Sequence, residues 1–304
     1  MWGSGMSFAN KLQKTRIPNP FHTWSHMPDQ LFLSPLFRIL RMMYCQIVLV
    51  LLPSSSFAAF EFQPIGAHTS GTGDAGVALA AGAAGAYWNP AALTWGKRLS
   101  LFGMYDRAFG IAELATHAFS AGLRIGRHGL GVRYTGFGFA LYKEQVLGLA
   151  YGLRVFQQLS LGLGIRALQL STAGMPTQHW VVFDAGIKLQ MRENVFLGAA
   201  IWNAGGSHTS LLGQGGTVGM GIVAMPRVVL VADIQKEANF PTGAGIGIMY
   251  HIHPQLVLRT GAGSRPERLS AGFGLQKNGF AIDYAAVWHT VLGITHRASV
   301  IYEH

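Results

Sequence analysis

From Leu99 to the C-terminus, runs of about ten residues alternate apolar with small or polar side chains, and tight polar turns separate the runs. Leu159, Leu161, Leu163 and Ile165 alternate with Ser160, Gly162, Gly164 and Arg166. Period-two alternation sends successive side chains to opposite faces of a strand. One face is then greasy, and the other carries glycine, serine and arginine. A soluble sheet would bury the greasy face under a second layer, and this region holds no helical pattern to supply one. Lipid is the remaining home for that face, which points to an all-β transmembrane antiparallel β-barrel.

Composition agrees. The 304 residues are 50% hydrophobic and 12% charged, with 40 glycines. The apolar residues are dispersed, and no stretch approaches the roughly 18 that a spanning helix needs. The formal charge of +10 is spread singly, without the clustered basic patch of a nucleic-acid binder. The sole cysteine, Cys45, falls in the leader.

Residues 43–58 read as the end of a signal peptide. Arg38 and Arg41 supply its positive region, Ile47–Leu52 its apolar core, and Ser56-Phe57-Ala58 a small-x-small cleavage site. The polar stretch before it is too long for such a peptide, so residues 1–58 are expected to be a signal peptide with a mis-assigned start. Residues 59–97 are rich in alanine and glycine and form a separate segment. Residues 98–304 form the barrel.

About fourteen strands are expected, an even number as bacterial barrels require. They run from Leu99–Arg107 through Glu144–Val155, Leu159–Leu170 and Trp180–Met191 to Phe280–His289 and Ile294–Tyr302. Alternate connections are tight, as at Arg192–Asn194 and Lys277-Asn278-Gly279, and the others tend to be longer. Parity turns Arg124, Arg133, Arg154, Arg166, Lys188 and Arg259 inward, together with Asp184, Asp233 and Asp283. These charges either pair across neighbouring strands or line an anion-favouring lumen. Tyr134, Trp180, Tyr250, Tyr284, Trp288 and Tyr302 are expected in interfacial girdles. A soluble β-sandwich is the competing fold, and the leader and scarcity of charge stand against it.

Catalytic signals are weak. Gly71-Thr72-Gly73-Asp74-Ala75-Gly76 matches G-x-G-x-x-G but follows no strand. His251 and His253 lack further ligands at a fixed spacing, so no metal and no cofactor are expected. Ser207, His208, Ser210 and Asp184 share no spacing that makes a triad, so no enzyme is expected.

The stretch Gly66–Leu93, with Asn89-Pro90-Ala91 following Ala86-Tyr87-Trp88, resembles the N-terminal signature of the FadL-like outer-membrane family. It looks closest to the PorV/PorQ-like branch associated with type IX secretion. The resemblance implies a fourteen-stranded barrel, inserted by the barrel-assembly machinery, with residues 59–97 as a hatch in the lumen. It implies a hatch or binding role for Tyr87, Trp88, Asn89, Pro90 and Ala91. The implied partners are outer-membrane lipid and a hydrophobic small molecule that crosses passively, or secreted proteins held by a non-transporting component. The chain departs from fatty-acid transporters in having little length for long loops, in Ala-Gly before the Asn-Pro element, and in lacking a C-terminal Phe.

Overall fold

The computed structural model describes residues 59–205, 212–238 and 240–304. The expected leader therefore lies outside the described residues. Fourteen antiparallel strands form a closed barrel. In chain order they are β1 (Leu99–Arg107), β2 (Ala115–Ile125), β3 (His128–Phe139), β4 (Tyr142–Arg154), β5 (Leu159–Thr172), β6 (Gln178–Arg192) and β7 (Val195–Ala204). There follow β8 (Gly215–Met225), β9 (Val228–Glu237), β10 (Gly243–His253), β11 (Leu256–Ser264), β12 (Glu267–Lys277), β13 (Phe280–His289) and β14 (Gly293–Glu303). Each strand pairs with its sequence neighbours, and β1 closes on β14 with Ser100 opposite Glu303. Closure leaves no sheet edge whose backbone groups would face hydrocarbon.

Facing follows the alternation. On β5, Leu161, Leu163 and Ile165 are exposed on the outside, while Ser160, Gly162 and Arg166 are buried inside. Strands of 9 to 15 residues suffice to cross the hydrocarbon layer. One end carries short turns; at Asn278-Gly279 both residues have positive φ, as a tight hairpin turn demands. The opposite end holds the longer connections, 108–114 and 205–214, although 140–141 and 265–266 are also tight.

Trp180 departs from the expected girdle. It is buried inside the barrel, edge-on to Phe60 with ring centroids 5.8 Å apart. Its parity matches Asp184 and Lys188 on the same strand, so the alternation places it inside.

Residues 59–97 lie within the barrel. Two short helices, α1 (Ala67–Ser70) and α2 (Gly85–Trp88), are joined by turns and irregular backbone. A six-residue 3-10 turn, Pro90–Trp95, leads toward β1. The glycines here work against a long helix. They also let this backbone approach the wall. A Cβ on Gly162 would fall 2.2 Å from the Ala91 nitrogen, and one on Gly261 would fall 2.3 Å from the Gly73 nitrogen. Glycine on the inner strand face is therefore what makes room for the segment.

Candidate binding cavity in the lumen

The inner segment is tied to the wall on both sides. Asn89 is fully buried and caps the Pro90–Trp95 turn by accepting from the Ala91 N–H at 3.1 Å. Its Nδ2 donates to the Ile187 carbonyl of β6 at 2.9 Å. Pro90 at the first position of the turn has no N–H to satisfy. Ala91 packs on Gly162. Lys188 donates to the Ala80 carbonyl and Arg154 to the Thr94 carbonyl, and both cations lie over the Trp95 ring, at 5.2 and 4.7 Å. Arg124 sits beside Arg154. Asp233 accepts from the N–H groups of Gly76 and Val77 at 2.8 and 2.9 Å.

Between this segment and the wall lies a cavity of about 100 Å³. Phe60, Phe62, Trp88 and Trp202 supply aromatic walls, with Phe137 and Val146 from the barrel. Phe62 bridges the two indoles, edge-on to Trp88 at 5.5 Å and tilted over Trp202 at 4.8 Å. The Trp88 indole N–H donates to the Ile65 carbonyl at 2.8 Å, which fixes its ring. Tyr87 donates its hydroxyl to the Phe119 and Tyr134 carbonyls of β2 and β3, at 2.6 and 2.8 Å. Burial pushes the Tyr87 phenol up to about 12, so it remains a donor at neutral pH.

The polar part of the cavity is a paired charge cluster. Arg166 forks onto Asp184 at 2.7 and 2.6 Å and reaches Asn203 at 2.6 Å. Arg133 approaches the same carboxylate at 3.4 Å, donates to the Ala86 carbonyl at 2.8 Å, and lies over Tyr87. Charges buried this deeply are tolerable because each has partners.

A second cavity, of about 870 Å³, opens at the short-turn end. His68, Arg259 and Asp283 line it, and Arg259 is paired with Asp283 at 2.7 Å.

Six of the residues singled out from sequence thus meet at the smaller cavity: Tyr87, Trp88, Pro90, Arg133, Arg166 and Asp184. Asn89 and Ala91 instead seat the segment, as do Arg154, Lys188 and Asp233. Sequence reasoning missed Phe60, Phe62, Phe137 and Trp202. It also set aside the Gly71–Gly76 stretch, which has a docking role. Gly73 (φ +69°) packs against the carbonyls of Ile246 and Ala262, and Asp74 makes an ion pair with Arg268 at 2.7 Å. Arg297 joins it, bonded also to Asp106 at 2.6 Å.

Among the described residues no group of His, Cys, Asp and Glu is placed to hold a metal ion. Ser207, His208 and Ser210 lie outside the described residues.

No protein-family model matches the chain, and no curated protein matches it. Solved structures do match its fold. The toluene transporter TbuX of Ralstonia pickettii aligns with a TM-score of 0.60 at 13% identity, over 81% of this chain and 100% of its own. CymD, a monoaromatic hydrocarbon channel, aligns at 0.63 and 15%, over 81% and 99%. A FadL homologue of Pseudomonas aeruginosa aligns at 0.58 and 13%, over 81% and 100%. The chain has a FadL-like fold.

Proposed function

We propose that this chain is an outer-membrane channel for the passive passage of small hydrophobic compounds, with residues 59–97 as its hatch. The aromatic-walled cavity between that segment and the barrel wall carries the reading. Apolar cavities bind apolar ligands because burial removes greasy surface from water. An apolar cavity of ~150 Å³ accepts benzene, so at about 100 Å³ this one admits a single-ring compound only if its lining side chains shift outward, and it is too small for a long acyl chain. The toluene and monoaromatic hydrocarbon channels of the same fold support that size class. Residues 1–58 would direct export, and the barrel-assembly machinery would insert the strands into outer-membrane lipid.

Ala200 is buried and lines the cavity from β7. Ala200→Phe fills it from the rigid wall. Uptake of radiolabelled toluene by cells expressing the chain should exceed that of cells without it, and A200F should lower the excess at least tenfold. Uptake at background level in both would remove the channel reading. It would leave the PorV-like attachment role, which capture of secreted proteins at the cell surface would then test.

A further inference from the structure

The basic residues, scattered along the sequence, gather in space at one end of the barrel. At the short-turn end, the connections and the strand residues flanking them hold seven basic side chains against Glu193 and Glu303. The same count at the opposite end gives Arg107 and Arg265 against Glu113, Glu237 and Glu267. Six of the seven are exposed: Arg98, Arg127, Arg192 and Arg227, with Lys97 and Lys277, which also line the rim of the vestibule. They belong to four different hairpin turns and to the junction that leads into β1, so they surround the barrel rather than cluster on one side.

Each position also has an apolar neighbour on the outer surface. Ile125 precedes Arg127, Met191 precedes Arg192, Met225 precedes Arg227, Leu275 precedes Lys277, and Leu99 follows Arg98, all exposed. An outward apolar side chain marks the edge of the hydrocarbon layer. A long basic side chain one or two residues away reaches the level just beyond it, where lipid phosphates lie.

We propose that this end of the barrel is a cationic ring that binds the phosphodiester headgroups of anionic phospholipids in the leaflet around it. The spread of charge around the perimeter, level with the greasy belt, fits a lipid annulus better than a soluble polyanion, which would need its cations grouped on one face. Each basic residue near an anionic surface contributes roughly a fivefold preference, weakened by salt. The opposite end, near charge balance, has no such preference.

The test uses the full chain in nanodiscs of phosphatidylcholine with a trace of spin-labelled phosphatidylglycerol or spin-labelled phosphatidylcholine. The immobilised fraction should favour phosphatidylglycerol at least fivefold, and 0.5 M NaCl should reduce the preference. R127Q/R192Q/R227Q/K277Q, which keeps Lys97 and Arg98, should reduce it at least threefold. R107Q/K143Q/K236Q/R265Q, which removes as many charges from exposed residues near the other end, should leave it intact. Equal association of the two lipids with the unaltered chain would overturn the proposal without any variant. So would equal loss in both variants. Displacement by millimolar glycerol phosphate at constant ionic strength would mean that the ring reads free phosphate, and would overturn the lipid assignment.

Discussion

The two walls of the lumen hold the same irregular segment by opposite chemistry. The β2–β6 wall presents donors to its carbonyls. Ser120 donates to Ala83 at 2.8 Å and Arg133 to Ala86 at 2.8 Å, while Lys188 and Arg154 donate to Ala80 and Thr94. The β9–β14 wall mainly presents acceptors to its N–H groups, the exception being Arg268, which donates to the Gly73 carbonyl at 3.5 Å. Asp233 takes those of Gly76 and Val77, Ser270 takes Gly73 at 3.1 Å, and Ser299 takes Ala67 at 3.1 Å. A segment without regular structure, shielded from water, must have its backbone polar groups satisfied by something else. Here the barrel divides that task by sign. The inward charges are therefore more than pairs that neutralise one another: several of them act as caps for a buried backbone.

Steric fit underlies both walls, so its loss should have the largest effect. Gly162→Val places side-chain atoms where the Ala91 nitrogen now lies, 2.2 Å from the first added carbon. Overpacking against backbone should cost about 3 kcal/mol or more. The segment of this variant should become sensitive to added protease while the barrel itself remains resistant.

Asp233→Ala strands two buried N–H groups, and although loss of its own buried charge offsets part of this, it should still lower the unfolding free energy in detergent by about 3 kcal/mol. Lys188→Met strands one carbonyl but also removes a buried charge, whose desolvation offsets part of the loss, so about 1 kcal/mol is expected. Equal losses, measured by urea denaturation, would break the distinction between the walls.

The effect that is smallest at neutral pH, and grows only on acidification, concerns His68 on α1, whose imidazole is buried against Arg259 and Asp283. Burial holds its imidazole down at about 4, with Asp283 opposing and Arg259 adding to the shift. The unfolded chain takes up that proton near pH 6.5, and the folded chain does so only near 4. Its contribution to stability is thus complete above about 6.5 and lost as pH falls from there through 4. His68→Gln should flatten the urea midpoint over that window. An unchanged pH profile would mean that other groups set it.

The strands were legible in the sequence because alternation and turn chemistry are local. Phe280–His289 needs only its own residues and the Asn278-Gly279 turn to be recognised. The docking of Asn89 was within reach too, since Asn-Pro is a strong local signal and the glycines opposite it sit at inward parity. The cavity was not. Phe62 and Trp202 are far apart in sequence, and only barrel closure sets one over the other. The docking role of the Gly71–Gly76 stretch was out of reach for a related reason: the match to a phosphate loop was rightly set aside, but the strands its glycines touch, β10 and β11, lie far along the chain. Trp180 shows the opposite case, where parity was decisive and aromatic character drew attention away from it.

Residues 59–97 occupy the lumen between a wall of donors and a wall mainly of acceptors. Two engineered disulfides test that placement most directly, in a background where Cys45 is replaced by Ser. Ala83→Cys with Ser120→Cys joins the segment to the donor wall, and Ala67→Cys with Ser299→Cys joins it to the acceptor wall; each pair is already bridged by a hydrogen bond. Both pairs should form disulfides nearly completely in intact outer membranes, since bridging requires Cα atoms within about 7 Å. Failure of both pairs, with the segment cysteines labelled by a membrane-impermeant maleimide, would contradict the account.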